Sequence, residues 1–253
     1  MTTVLRALIA SFICFALWSA PASAFTGTKS LDAESGDFSA FTGIEVERGS
    51  APSVPSATVV SRAVDPAHVA QGWFSFRYDM PAGGRRIEHA WSYSGANQFR
   101  EGDDVWIAQQ IHLDPRAWAE QGWNAGHHII LQIKSADAGR GGPFAMDDRD
   151  NRWTWGPRGA TELISQPVTK GVWERWLYHF RFSSNPAAGR ITIIKNGVTL
   201  YDAARATLYP GYGAYFKQGI YQNTAIKSPS RLWIDGTTIS VDRTVAARGA
   251  WGG

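Results

Sequence analysis

Cysteine is almost absent: the 253-residue chain has one, Cys14. It lies in an opening stretch where Arg6 is followed by an apolar run from Ala7 to Trp18 and then by small residues ending in Ala22-Ser23-Ala24. That is the layout of a secretory signal peptide, residues 1–24, cleaved before Phe25. A mature chain without a thiol excludes disulfides, cysteine nucleophiles and cysteine metal ligands. The apolar run falls short of the roughly 18 to 20 residues that cross a bilayer, and no second such run exists. A secreted or periplasmic protein is therefore expected, with no membrane contact after cleavage. Basic runs are lacking too, which argues against nucleic acid, and the formal charge of +3 shrinks further once Arg6 is removed. So small an excess suits an acidic ligand without demanding one. Methionine is scarce, with three residues against 12 Trp and 26 Gly, a balance that leans away from helical bundles and towards strands and turns.

Strand signals are plentiful. Residues 25–70 are rich in Ser, Ala, Pro and Gly, with two short strands at 43–47 and 56–63, and read as an N-terminal covering segment of the same domain as the jelly-roll residues 71–253. From residue 71 onward strands are expected at 73–78, 86–91, 105–113, 127–134, 152–155, 173–182, 190–195, 198–201, 214–221 and 232–240, separated by Gly, Pro, Asn and Asp turns. Several alternate cleanly, as Trp176, Tyr178, Phe180 and Phe182 do against Arg175, His179 and Arg181. Asn196-Gly197 is a strong hairpin signal because both turn residues tolerate positive φ. Residues 115–121 read as one short helical turn. The expected fold is all-β, a two-sheet antiparallel jelly roll of the concanavalin-like sandwich type. A monomer is expected.

Chemistry-bearing residues concentrate in three strands, where residues of one parity share a face. Tyr215, Lys217, Gly219, Tyr221 and the following Asn223 point together, with Phe216 and Ile220 towards the core. A Lys and a Tyr two pleats apart make the phenol a proton-transfer candidate, since an ammonium favours its ionised form; the same pattern also fits a solvated sheet face. Uninterrupted alternation from His127 to Lys134 places His128, Ile130, Gln132 and Lys134 on one face, and the adjacent pair His127-His128 on opposite faces, which makes a poor metal site. In Arg86-Ile87-Glu88, Glu88 shares a face with Arg86 and can orient its guanidinium towards an anion, or simply form a surface pair with it. Asp147, Asp148, Asp150 and Asn151 offer calcium ligands but lack EF-hand spacing and read as a solvated loop, so no metal and no cofactor is expected. His179 shares its face with Arg175 and Arg181, which either border a cleft or decorate an outer sheet, and His112 has no visible partner in the sequence.

The order Arg-x-Glu, then Gln132, then Tyr215-Phe216-Lys217-Gln218-Gly219-Ile220-Tyr221 resembles the jelly-roll polysaccharide lyases, which include alginate lyases, glucuronan lyases and heparin lyase I-like enzymes. Gly171-Val172-Trp173, the aromatic strand to Phe182, Gly189-Arg190, Asn196-Gly197 and Leu232-Trp233-Ile234-Asp235 extend the resemblance over residues 71–241. It implies β-elimination at a uronate. Gln132 and Arg86 then neutralise the C5 carboxylate, Tyr221 serves as acid and also as a candidate base, and Lys217 tunes Tyr221 or binds the uronate. Tyr215, Glu88, Asn223 and His128 are the expected substrate-binding residues, and an acidic polysaccharide the expected partner.

One position departs from that pattern. Many members carry a histidine two residues after the glutamine, where this chain has Lys134. Tyr221 acting as both base and acid, Lys134 as a subsite cation or as the base, and His128 as a replacement are the competing accounts; the first, with Lys134 as a subsite cation, is preferred. The rival readings are a noncatalytic acidic-carbohydrate-binding module or an inactive lyase homologue, and a glycoside hydrolase, which needs a second carboxylate that Glu88 lacks within these motifs.

Overall fold

Alternating positions and turn residues resolve into fifteen strands among the described residues. The computed structural model describes residues 25–91, 99–118, 126–137, 139–156 and 165–252; the expected signal peptide, with Cys14, lies outside them. One antiparallel sheet of eight strands runs β13 (Val198–Ala204), β12 (Arg190–Lys195), β11 (Trp173–Arg181), β6 (Asp104–Trp118), β15 (Ser230–Ser240), β4 (Phe74–Met80) and β3 (Ser56–Ser61), with β1 (Thr28–Ser30) also on β15. The other, of seven, runs β10 (Ser165–Pro167), β9 (Arg152–Gly156), β8 (Phe144–Arg149), β7 (His128–Ser135), β14 (Ala214–Gln222), β5 (Arg86–Trp91) and β2 (Gly43–Glu47). This is the expected two-sheet jelly roll.

The core lies between the sheets. Phe76, Ile111, Trp176 and Phe180 of the first meet Ile87, Ile133, Phe144, Trp155 and Phe216 of the second, all fully buried. Each such side chain contributes about 1.5–3 kcal/mol relative to leaving it in water, before the cavity term. The Asn196-Gly197 hairpin forms as expected, with φ of 49° and 83°. Residues 25–70 are woven into both sheets through β1, β2 and β3.

Two local expectations change, and one element was not anticipated. Residues 115–118 continue β6 instead of turning into a helix, and residues 119–121 lie outside the described chain. Between Leu113, opposite Leu232, and Trp118, opposite Ser230, the strand carries extra residues in an irregularity; it returns because Trp118 is buried and its indole N–H donates to Asp148 at 2.7 Å. The acidic run around Asp147 is no loop but the end of β8 and its hairpin to β9, turned by Asp150 and Asn151 at φ 52° and 55°. Finally α1 (Arg243–Trp251), capped by Asp242 accepting from the Thr244 and Val245 N–H groups, lays Ala246 and Ala250 against Ala108, Leu177 and Ile194 on the outer face of the eight-stranded sheet.

Candidate active site

Parity along β14 holds. Phe216 and Ile220 enter the core, Gln218 bonds inside the sandwich to Gln109 and Thr237, and Tyr215, Lys217 and Tyr221 take the outer face of the seven-stranded sheet. Gly219 stands at φ 141° in an irregular stretch of the β14–β7 ladder, where a Cβ would meet the Ile87 carbonyl oxygen at 2.2 Å. Only glycine fits there. On β5, Ile87 and Trp91 point inward and Arg86 and Glu88 outward. Register then sets Arg86 opposite Tyr221, Gln132 opposite Lys217, and Lys134 opposite Tyr215.

On β7 the alternation breaks. A register shift between Ile129 and Leu131 opposite β8 puts both Ile130 and Leu131 into the core, so the two halves of the strand have opposite parity. Gln132 therefore shares the outer face with Ile129, not with His128. The expectation that His128 binds substrate is overturned: it is fully buried in the interior, its Nε2 2.8 Å from the Ser230 hydroxyl, its ring against Trp118, and burial pushes its pKa down to about 3. The same break delivers a residue that uninterrupted alternation had turned away. His127 stands edge-on to Tyr221, ring centroids 5.5 Å apart, with Nε2 buried and its carbonyl accepting from the Asn223 N–H. Asn223 thus fixes the His127 segment, its own side-chain oxygen occupied by the Ala225 N–H at 2.9 Å.

At the centre of the face is Glu88, with no exposure. It accepts from the Gln132 amide at 2.6 Å and the Lys217 ammonium at 3.1 Å, and its Oε2 lies 3.4 Å from Arg86 Nε. So deep a carboxylate is an anchor for other side chains; the expectation that it contacts substrate is overturned by its burial. Lys217, 1% exposed, is clamped between Glu88 and Glu45, the latter at 2.8 Å. It lies beneath the surface, where a substrate carboxylate would have to displace an existing partner. Glu45 also pairs with Arg86, and Glu47 reaches Arg85 and Arg86. Against the penalty of partial burial, Lys217 and Arg86 hold the Glu45 carboxyl below its usual range. Arg86 and Gln132 remain the donors at the surface of the cluster, and the Arg86 guanidinium lies 4.2 Å from the centroid of the Tyr221 ring. Glu45 and Glu47 were missed because they sit in the segment read as a cover, although their shared parity on a strand was visible.

Beyond Gln132 and Tyr221, the face continues over Ile129 and Ala145, which pack with Tyr221, to Asp147. Burial pushes the Asp147 carboxyl up to about 7, with Arg149, whose Nε is 2.7 Å away, and the His128 backbone N–H opposing. Asp148 points the other way, to Trp118, so the acidic run is split between two faces of the sheet. Among the described residues no group of three or more His, Cys, Asp or Glu is placed to hold a metal ion. At the other end, Lys134 donates to the Arg140 carbonyl, and Arg140 lies over Tyr209 and Tyr212. His112 and His179 belong to the other sheet, His112 beside Trp233 and His179 2.5 Å from Asp104.

The polysaccharide lyase family profile matches residues 33–238. The chain belongs to the polysaccharide lyase family. Its sandwich resembles that of an endo-β-1,4-glucuronan lyase from the fungus Trichoderma reesei, at 16% identity and a TM-score of 0.58 over 78% of this chain and 90% of that one. It also resembles the alginate lyase Aly36B, at 14% identity and a TM-score of 0.51 over 85% and 97% of the two chains. No curated protein matches it. The lyase fold thus matches the resemblance carried by the Arg-x-Glu and Tyr-x-Lys-x-Gly-x-Tyr strands. Among its described residues no helix is long and apolar enough to cross a membrane.

Proposed function

We propose that this lyase is exported, acts as a monomer and cleaves a uronic-acid polysaccharide by β-elimination, with Tyr221 as the proton-transferring residue. The observation that carries the reading is the convergence of Arg86, Gln132 and Tyr221 on one sheet face around the buried Glu88. Elimination requires the C5 carboxylate to be neutralised, because charge spreads into it as the C5 proton leaves. Arg86 and the Gln132 amide hydrogen not given to Glu88 supply that neutralisation. The Tyr221 phenolate takes the C5 proton, the C4–O4 bond breaks as the C4–C5 double bond forms, and the same phenol returns the proton to O4. Each transfer is worth about 10²- to 10⁴-fold in rate.

His127 supports that assignment without replacing it. Its Nε2 is buried and its ring braces Tyr221, so it acts as a positioning residue. Lys217 and Glu88 fix the donors from beneath, and Lys134, in register with Tyr215, is a subsite cation one pleat from Gln132. The sequence, from neutralisation to release, draws on no cofactor. The test is ultraviolet absorbance on mixing residues 25–253 with alginate, polyglucuronate, heparin, hyaluronan and pectate, with and without calcium. A rise from the conjugated unsaturated uronate, abolished by Tyr221→Phe, is expected; silence across the panel with polymer still retarding the protein in gels would favour a binding module.

A further inference from the structure

The opening residues of a domain are poorly ordered unless something ties them down. Phe25, the residue that follows the Ala22-Ser23-Ala24 cleavage signal, is tied down in three ways. Its backbone nitrogen donates to Asp103 Oδ1 at 2.8 Å, across 78 residues of chain. Its ring meets Trp91 and Phe99 edge-on, with centroids 5.8 and 6.1 Å away. Two residues further on, the Gly27 carbonyl accepts from the Val241 N–H and β1 pairs with β15, which fixes the direction from which Phe25 reaches Asp103.

Asp103 is 1% exposed. Its Oδ2 takes the Arg100 N–H at 2.8 Å, and among the described residues no cationic side chain pairs with it. A carboxylate buried on two neutral amides lacks a counter-charge, and a buried charge is costly until one is supplied. The aromatic half of the site belongs to the strands of the candidate active site: Trp91 ends β5, and Phe99 bridges to Ala214, the first residue of β14.

We propose that Asp103, Trp91 and Phe99 form the receptor for the mature N-terminus, the carboxylate taking the α-ammonium of Phe25 and the two rings its phenyl group. The inference rests on the export reading above. A signal peptidase adds water across the peptide bond between Ala24 and Phe25: the hydroxyl goes to the Ala24 carbonyl carbon, and the freed Phe25 amine takes the proton that the new carboxylic acid gives up. The donor that Asp103 already holds thereby becomes a cation, and a neutral hydrogen bond becomes a charge-assisted one. Leader removal completes the lock, so the exported chain is more stable than its precursor.

The experiment compares residues 25–253 with a free Phe25 amine, released from a fusion by a protease that cuts directly before Phe25, with the same chain carrying one extra N-terminal Gly. The Gly restores the amide at Phe25 and moves the ammonium one residue away. Asp103→Asn, which keeps an acceptor for the Arg100 N–H, is made in both. The melting midpoint of the free-Phe25 chain is expected to lie about 2–8 °C above that of the extended chain, the difference between a charge-assisted and a neutral hydrogen bond in a domain of this size, and the gap closes in Asp103→Asn. Acylation of the N-terminal amine in the folded protein at pH 7, read on the N-terminal peptide by mass spectrometry, is expected to be about tenfold slower for free Phe25 than for the Gly-extended chain, a comparison that needs no substitution at Asp103. Equal midpoints, a gap that persists in Asp103→Asn, or equal acylation rates overturn the receptor. The full chain is also expressed with its leader in a secreting host and sequenced from its N-terminus. Phe25 as the first residue supports the lock; a retained leader or another first residue overturns the export reading, and the lock as a step of maturation with it, whatever the midpoints show.

Discussion

Replacing Glu88 by Gln keeps the shape of the central anchor and removes its charge. The carboxylate has no exposure and touches Gln132, Lys217 and Arg86. Removing one member of a buried ion pair costs about 3–5 kcal/mol, because the remaining charge stays buried. Here both cations keep Glu45, so the lower end, about 3 kcal/mol, is the expectation. A typical domain has about 5–15 kcal/mol in total, so the variant stays folded with a lower denaturation midpoint. Turnover falls further than stability suggests: the one oxygen left at position 88 is drawn to the Lys217 ammonium and Arg86, which turns an NH2 towards the Gln132 amide in place of its acceptor, and a misplacement of about 1 Å costs on the order of a hundredfold. Urea unfolding and initial rates of product absorbance measure the two effects separately. The double variant Glu88→Gln/Lys217→Met restores much of the midpoint, since removing both partners of a buried pair is close to neutral, but leaves kcat low. An unchanged midpoint in Glu88→Gln, or kcat recovering together with stability in the double variant, would refute the account of Glu88 as an anchor for the donors.

His127→Phe, which keeps the ring against Tyr221, should retain most of kcat while His127→Ala loses it; equal losses in the two would move proton transfer onto the imidazole. Lys134→Ala should raise KM more than it lowers kcat, and a collapse of kcat at constant KM would put the ammonium into the chemistry. Asp148 has its carboxyl pushed by burial to about 6 from an ordinary 3.8, so the stability it contributes is full below about pH 4 and is lost as pH rises through 6. Asp148→Asn, which keeps an acceptor for Trp118, should therefore match wild type near pH 4 and exceed it by about 1–3 kcal/mol at pH 8 in denaturation experiments. A variant no more stable at pH 8 would contradict it.

Where alternation runs unbroken, as on β5 and β14, the face of every candidate is legible in the sequence: Arg86, Lys217 and Tyr221 lie where parity puts them. β7 was legible only in half, because one extra residue at the Ile130–Leu131 bulge exchanges the faces of everything before it, and nothing in the run of isoleucines announces that. His128 and His127 changed places for that reason. Pairing partners were hidden as well, since Glu45 and Glu88 meet Lys217 only once β2 and β14 flank β5. Asp147 and Asp148 looked like one acidic loop because the Asp-Asn turn that makes them a strand end was weighed as a ligand run.

The lysine that anchors the cluster reaches its carboxylate across 129 residues of chain. Neither β5 nor β14 holds a competent arrangement until the loops between them have closed, so no early folding intermediate carries the activity. Sheets built from such distant pairings fold in milliseconds to seconds, not microseconds. The long-range wiring of Glu88 to Lys217 thus makes the donor cluster a property of the closed sheet, absent until strands far apart in the chain have paired.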